Sequence, residues 1–390
     1  MYFANFLHIY QPSTQFPKVL DKITKESYRE VISILKRNPE AKVTFNLASM
    51  LTELFAKHGY QSILKDFKEL AFRGQIEFTS SAKYHPLLPK LPRSEIIRQI
   101  ELNDETNHKY LGEAYQPRGF FPPEMAYSRK VASVLEHLGF EWVLVDESAY
   151  PTGKKVQTER RYKIKGLKLN VFFRETELSL AIAFSKVKTV TAFQRKLGKR
   201  RIKSNNYLIT ALDGETFGHH QPQQLRLFEG LCKLTDVGQV FVSDLLHLYK
   251  KEVAVEPLVS TWGTTIDDVK KGRIFPRWDN PKSVIHTMQW KLTRLAIATV
   301  TKASRDARLS SGWQRARKML DKSLQSDQYW WASHNPCWHP AMVERGVKTL
   351  RNVVLNSPTA SPYDREKARD LYKKIVTTGK ERYGEEVIGC

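Results

Sequence analysis

Residues 207–222 read YLITALDGETFGHHQP. The run 207–212 is almost wholly apolar, as a strand buried on both faces should be. It stops abruptly at Asp213, Gly214 and Glu215, and His219 and His220 follow closely. Two carboxylates and two imidazoles at the end of a buried strand suit a parallel sheet whose strand ends open on a polar site.

The pattern extends outward from there. Strand-like runs at 2–7, 42–45, 75–79, 119–121, 141–145, 167–173 and 240–242 accompany the run at 207–212. Helical spacing occupies 18–35, 51–70, 93–111, 128–137 and 243–250, with Ser128 as an N-cap for its helix. Strands alternating with helices of this length predict βαβ units and a parallel sheet. Seven or eight such strands before residue 250 predict a barrel or a distorted barrel. Beyond 255 the period becomes helical, at 284–300, 313–324, 342–354 and 363–382, with SPTASP (357–362) as a turn. The expected division is a barrel over 1–254 and a helical domain over 255–390.

Composition bounds the rest. The chain has 390 residues, 41% of them apolar, enough for a large domain and a smaller one. Aromatics reach 11%, with eight Trp, suited to stacking flat ligands as well as to filling cores. The three Cys, at 232, 337 and 390, have no metal-ligand spacing and form no even set, which points to a reducing compartment. The first residues carry no basic and apolar leader pattern, so a cytoplasmic location is expected. No apolar run of about 18 residues predicts a membrane span. The net charge of +22 concentrates in 154–168 and 195–203. No nucleic-acid-binding motif accompanies it, so the expectation is a solvated basic surface, with no specific nucleic-acid partner and no membrane partner. The oligomeric state has no signature here.

Parallel barrels present their sites at strand C-termini, and nearly every strand here ends in a polar group. His8, Tyr10 and Gln11 follow the first strand. Glu77 and then Tyr84-His85-Pro86 follow the third. Glu124 follows 119–121, Asp146 follows 141–145, Arg174 follows 167–173, and Ser243 and Asp244 follow 240–242. Ser243 and Asp244 suit a helix cap, and Glu124 alone would suit a helix N-terminus ahead of Ser128. Together the strand ends predict one converging pocket. Glu124 and Asp213 lie on strands far apart in sequence, and two facing carboxyls are the minimum equipment for glycoside hydrolysis. One attacks; the other must hold a proton at neutral pH, helped by burial or by a like charge such as Glu215. A metal site built from His8, His85, His219, His220 and a carboxylate is the competing reading, but adjacent histidines on a strand point apart.

These residues resemble glycoside hydrolase family 57, which includes α-amylases, amylopullulanases, branching enzymes and 4-α-glucanotransferases. LHIYQP (7–12) is similar to the family's first region, His-x-His-Gln-Pro, with His8 at the first His and Tyr10 where the second is usual. GQIEF (74–78) resembles the second region, with Glu77 its carboxylate, and AKYHPLLP (82–89) the Tyr-His-Pro stretch that follows. GFFPPEMAYS (119–128) resembles the third region, whose Glu is the nucleophile, here Glu124. Phe121 or Pro122 stands where Trp is usual. LDGETFGHH (212–220) resembles the fourth region, whose Asp is the acid/base, here Asp213. QSDQYWW (325–331) resembles the fifth region, a segment of the helical part that reaches a substrate subsite. That maps to Asp327, with Trp330 and Trp331 beside it. RETELSLAIAF (174–184) and STWGTT (260–265) are also similar to amylase-branch stretches.

The resemblance implies an α/β fold: a distorted (β/α)7 barrel with a C-terminal α-helical domain that contributes to the substrate cleft. It implies double displacement on α-glucans or malto-oligosaccharides through a covalent glucosyl-enzyme, with no cofactor and no catalytic metal. Retention implies carboxyl oxygens of Glu124 and Asp213 about 5–5.5 Å apart. His8, Tyr10, Glu77, His85, Glu215, His219 and Asp327 are expected to bind sugar or hold the carboxylates. Trp262, Trp330 and Trp331 are expected to stack on pyranose rings or to pack. The same two carboxylates serve hydrolysis, 4-α-glucanotransfer or branching. A metal-dependent deacetylase- or mannosidase-like barrel and a non-catalytic glucan-binding protein are the alternatives from other classes.

Overall fold

The computed structural model describes residues 1–151, 155–198, 205–303 and 307–389. Lys154 and positions 199–203 of the basic runs lie outside the described residues, as does Cys390. The chain forms two compact units. One comprises Met1–Lys83 and Leu88–Trp262; the other comprises Tyr84–Leu87 and the chain from Gly263 onward.

The first unit is the α/β part. Its strands are β1 (Tyr2–Ile9), β2 (Val43–Leu47), β3 (Ile76–Thr79), β4 (Gly119–Phe120), β5 (Trp142–Asp146), β6 (Arg161–Ile164), β7 (Asn170–Arg174), β8 (Tyr207–Asp213), β9 (Gly238–Gln239) and β10 (Glu252–Val255). One parallel sheet runs β3-β2-β1-β8, and β9 pairs with the start of β1. A second runs β10-β6-β7-β5-β4. The two sheets meet at two seams where the ladder narrows to two bonds and to one. At the first, Ser80 N–H donates to the Gly119 carbonyl (2.9 Å) and Phe121 N–H donates to the Ser80 carbonyl (2.9 Å). At the second, Glu175 N–H donates to the Ile209 carbonyl (2.8 Å). The ring β1-β2-β3-β4-β5-β7-β8 is therefore a distorted seven-stranded barrel that no continuous ladder closes. Its second seam has a visible cause. β6 pairs antiparallel with β7 at Val171 and Asn170, occupying the edge that β8 would need.

Alternation along each strand fills the ring. Ala4 and Phe6 of β1, Trp142 and Leu144 of β5, Phe172 of β7, and Tyr207, Ile209 and Ala211 of β8 join one buried cluster with Phe121 and Met125. The intervening residues face the helices: Phe3 packs on Phe193 (5.5 Å between ring centroids) and Phe45 on Phe67 (5.4 Å). Residues 240–242 are not a strand, contrary to the sequence pattern. Val240 and Val242 join the barrel's apolar cluster with Leu245, Leu246 and Tyr249. Their segment closes the end of the barrel where β1 begins. The apolar run is real, but its burial comes from plugging the barrel.

Two expected single helices are divided. Residues 18–35 form Pro17–Ile23, a π-helical turn Thr24–Tyr28, and Arg29–Arg37. Residues 51–70 form Ser49–Lys57 and Gln61–Phe72, parted at Gly59, whose φ of +84° ends the first helix. Ser128 caps its helix by accepting from Val131 N–H, as the sequence predicts. Cys232 is buried and free, and Cys337 is disulfide-bonded, which counts against the reducing compartment expected from the cysteine count. No helix among the described residues is long and apolar enough to cross a membrane.

The second unit is helical, built on Val284–Thr301, Ser311–Ser323, Pro340–Asn356 and Pro362–Tyr383. Ser283, Ser310 and Ser361 cap three of these, the last with a capping box to Asp364. Its core stacks Trp290 on Tyr329, 4.1 Å apart and nearly parallel. His286 lies fully buried beneath them. Its Nε2–H donates to the Tyr329 carbonyl (2.8 Å), and its Nδ1 accepts from Asn280 N–H (3.0 Å). That pairing requires the neutral ring, and burial lowers its pKa to about 4. The unfolded chain binds this proton at higher pH than the folded one, so stability is full above about pH 6.5 and is lost as pH falls toward 4. The expected loss is about 3 kcal/mol at its limit. Thermal melts between pH 7 and 4 should show a steeper decline for the native chain than for His286→Gln; equal slopes would count against this assignment.

Candidate active site

The strand registers place a belt of polar side chains at the barrel's carboxyl end. His8 stands opposite Asn46 on one side and Asp213 on the other, and Asn46 stands opposite Thr79. On the second sheet Asp146 stands opposite Arg174. His8, Asp213, Asp146 and Arg174 each stand one alternation step beyond an apolar inward residue: Phe6, Ala211, Leu144 and Phe172. Period-two patterning therefore converts the strand-end polar residues into a single ring.

Hydrogen bonds fix that ring. His8 Nδ1–H donates to Asn46 Oδ1 (2.7 Å), and Asn46 Nδ2 donates to Thr79 Oγ1 (3.1 Å) and the Ser80 carbonyl (3.3 Å). Arg174 Nε donates to Asp146 Oδ2 (2.7 Å) and Arg174 Nη1 to the Ala211 carbonyl (2.9 Å), tying β7 to β8 where the ladder fails. Both members of this ion pair are almost wholly buried. Burial lowers the His8 pKa, and the charge of Asp213 partly offsets it. Asp213 itself is raised by loss of solvent, with His8 and Arg174 pulling it back.

Glu124 arrives from the opposite side. Its backbone, with Met125, lies in the left-handed region (φ 60° and 48°). Two consecutive non-glycine residues there store strain of about 1–3 kcal/mol each, a feature concentrated at functional sites. Glu124 is therefore no helix N-terminal carboxylate; the helix begins at Arg129. Trp262 grips it twice. Trp262 N–H donates to the Glu124 carbonyl (3.1 Å), and the indole Nε1–H donates to Glu124 Oε2 (2.9 Å). The Phe121 ring, three residues earlier, stacks on His8 (4.6 Å) and Phe6 (5.2 Å). The Trp262 ring lies 6.1 Å from His8 and under the Arg174 guanidinium (5.4 Å). Glu124 is bonded to Trp262, and the Trp262 ring meets His8 and Arg174, the two groups whose charges act on Asp213.

Glu215 follows Asp213 and is almost wholly buried. It accepts from Gln11 Nε2 (3.1 Å) and from the Tyr28 hydroxyl in a short bond. Burial and then the charge of Asp213 push its pKa up to about 7. The π-helical turn delivers this support. Glu26, Ser27 and Tyr28 each meet the loop after Asp213: His219 Nδ1–H donates to Glu26 Oε2 (2.6 Å), and Ser27 Oγ to the Gly214 carbonyl (3.2 Å). Nothing in a helical-period pattern marks Glu26 or Tyr28 as site residues. Asn46 is more legible, as a lone amide at an inward position of the strand VTFNL.

Glu77 sits one alternation step below the belt. Its carboxylate accepts from Thr44 Oγ1 (2.7 Å) and Ser243 N–H (3.2 Å), which holds the plug segment. Tyr10 is half-buried, its ring 6.3 Å from His8. His220 is exposed. His85, Asp327, Trp330 and Trp331 belong to the helical unit. There His85 Nδ1 lies 3.0 Å from Ser326 Oγ, and Ser326 N–H donates to the His85 carbonyl (2.9 Å). Asp327 opens the short helix Asp327–Trp330, and both Trp side chains are half-buried. Among the described residues no three His, Cys, Asp or Glu side chains gather as a metal-binding group.

The family model for glycosyl hydrolase family 57 matches residues 3–237. The chain belongs to that family. Alpha-amylase 1 of Dictyoglomus thermophilum is 26% identical over 56% of this chain and 32% of its own length. The 4-alpha-glucanotransferase of Thermococcus litoralis is 26% identical over 54% of this chain and 32% of its own. The chain spans about a third of the length of these curated relatives. The crystal structure of the Thermococcus litoralis enzyme superposes with a TM-score of 0.70 at 20% identity, covering 90% of this chain and 59% of that one. That of a branching enzyme of the family from Pyrococcus horikoshii gives 0.69 at 16%, covering 98% and 94%. These likenesses establish the family fold for this chain.

The loop that carries the family's fourth region has a glycine with no alternative. Gly218 has φ +110°, and a Cβ there would meet the Glu26 carbonyl oxygen at 1.8 Å. Gly59 has φ +84° but open space around it. Gly59→Ala should cost only the left-handed penalty, about 1–2 kcal/mol. Gly218→Ala should cost clearly more, because the π-helical turn must also move. Urea midpoints of the two variants compare them directly, and equal losses would show that the turn yields freely.

Proposed function

We propose that this chain is a retaining enzyme acting on α-1,4-linked glucans, with Glu124 as nucleophile and Asp213 as acid/base. The observation that carries this reading is the chain of contacts at the barrel's carboxyl end that runs from Glu124 through Trp262 to His8 and Arg174, which flank Asp213, in a chain of this family. Glu124 attacks C1 of a glucosyl unit as Asp213 gives its proton to the departing glycosidic oxygen. The C1–O bond breaks and a glucosyl ester forms on Glu124. Asp213 then removes a proton from water or from the 4-hydroxyl of a second glucan. That oxygen bonds to C1 and the Glu124 carboxylate is released. Water gives hydrolysis and a sugar hydroxyl gives transfer, through the same two groups.

Around them, His8 presents its Nε2 edge while Asn46 holds Nδ1, an arrangement suited to a sugar hydroxyl. The pKa of Glu215, buried beside Asp213, is pushed up to about 7 by burial and then by the charge of Asp213. Tyr28 and Gln11 hold Glu215 in place. His219, tied to Glu26, holds the loop. Tyr10 is assigned to sugar contact beside His8, and His85, Asp327, Trp330 and Trp331 are assigned to substrate binding on the family pattern alone. The polar partner in this reading is an uncharged glucan; the basic surface plays no part in the chemistry.

Asp213→Asn should lower kcat/KM on maltoheptaose by about 10²–10⁴-fold and much less on a substrate whose leaving group needs no proton. Equal losses on both would remove the acid/base role. Product analysis with maltoheptaose separates the outcomes: shorter sugars alone mean hydrolysis, longer ones transfer, branched ones branching. Full turnover by Glu124→Gln on every α-glucan tested would end the proposal.

The pair also sets a pH signature. The charge of Asp213 adds to burial in pushing the Glu215 pKa up to about 7. Asp213→Asn should therefore lower the pH at which Glu215 gives up its proton, read from the infrared band of the protonated carboxyl; an upward or absent shift would disprove the coupling.

A further inference from the structure

We propose that Trp262 is the positioning residue of Glu124, acting through its indole N–H, and that Arg174 fixes the plane of that indole. The inference rests on Glu124 being the nucleophile. It assigns Trp262 a role other than the sugar platform that its residue type suggests.

Glu124 and Met125 hold consecutive left-handed conformations, which persist only where the surroundings over-determine them. The residues after the pair supply part of the grip. Tyr127 N–H donates to the Ser260 carbonyl (2.9 Å) in an antiparallel bridge, which lays residues 260–262 alongside 124–127. Trp262 completes this short pairing by donating its main-chain N–H to the Glu124 carbonyl (3.1 Å) and its indole N–H to Oε2 (2.9 Å). One residue thus ties both the strained backbone and the carboxylate.

The indole is itself held. His8 and Phe121 meet it edge-on, at 6.1 and 6.0 Å and near-perpendicular angles. The Arg174 guanidinium covers it at 5.4 Å. Arg174 is anchored by Asp146 and the Ala211 carbonyl. Asp146 is held in turn by the Thr176 hydroxyl (2.8 Å) and Ser148 N–H (2.9 Å). The nitrogen edge of Trp262 and the face under Arg174 are therefore committed to protein.

This geometry has a chemical consequence. In the proposed step Oε1 attacks while the indole N–H stays on Oε2. In the glucosyl ester, Oε2 is a neutral carbonyl oxygen and a weaker acceptor. As the ester breaks, the C1–Oε1 electron pair returns to the carboxylate and charge reappears on Oε2, where the N–H donates most strongly. Trp262 thus assists release of the carboxylate more than its attack.

Trp262→Phe in the whole chain tests this, because it keeps an aromatic face and removes only the donor and some area. With maltoheptaose, kcat should fall roughly ten- to hundredfold with KM unchanged or lower. With an aryl α-glucoside, a burst of phenol should precede slow turnover. The acidic limb of kcat/KM, set by Glu124, should move upward. The charged and titratable groups around this centre are His8 on β1, Asp146 on β5, Arg174 on β7, and Asp213 and Glu215 at and after β8; all are retained in the variant. A platform role would instead raise KM and leave kcat, the burst and the limb as they were, and that result overturns the proposal. Should Trp262→Phe fail to fold, Arg174→Lys keeps the charge near Asp213 while loosening the indole. It should lower kcat at constant KM, and a native profile overturns the proposal. Glu124→Gln, run in parallel, separates the failures: turnover there sinks the nucleophile assignment, whereas its loss beside a native-like Trp262→Phe sinks only this inference.

Discussion

His8 is where the two halves of the site meet, and its placement rests on strand register. β1 pairs in parallel with β2 and β8 in one frame only, setting His8 beside Asn46 and Asp213. Side chains on a strand alternate between faces, so a slip of one residue would turn His8 toward the helices and bring an apolar neighbour inward. The apolar residues below it forbid that slip. Ala4 and Phe6 fill the barrel, and Phe3 is committed to the helix layer. Burial of the lower interior therefore fixes the position of the polar layer above it.

That layer carries an electrostatic cost which its hydrogen bonds offset. A buried ion pair is tolerated only when its remaining donors and acceptors are satisfied. Asp146 and Arg174 meet this condition, with Thr176, Ser148 and the Ala211 carbonyl as further partners. Their placement also serves the fold. β6 prevents β7 and β8 from forming a full ladder, and Arg174 spans the resulting seam. The least regular part of the barrel wall is thus bonded by the same side chain that shapes the charge at Asp213.

Support for the loop after Asp213 comes from a helix irregularity. A regular helix over 18–35 would present every third or fourth residue to that loop. The π-helical turn presents Glu26, Ser27 and Tyr28 in succession, each bonded to it. Gly218 completes the fit by allowing the Glu26 carbonyl to approach where any side chain would collide.

The amino-acid sequence alone determined the alternation of strands and helices, the family and the two carboxylates. Those properties are local: periodicity, a capping serine, a short motif. It also placed Asp213 and Glu124 at strand ends, because parallel strands bury their middles and leave their ends polar. Tertiary structure alone decided the rest. Residues 240–242 became a plug, because an apolar run reads the same in a strand and in a stopper. Glu77 bonded that plug, one layer below Asp213, since layer depth depends on register across strands. Trp262 became a donor to Glu124, and Tyr28 and Glu26 became braces, through contacts separated by more than a hundred residues of chain. Such contacts arise only when register, burial and backbone strain are satisfied together, and no local pattern records that agreement.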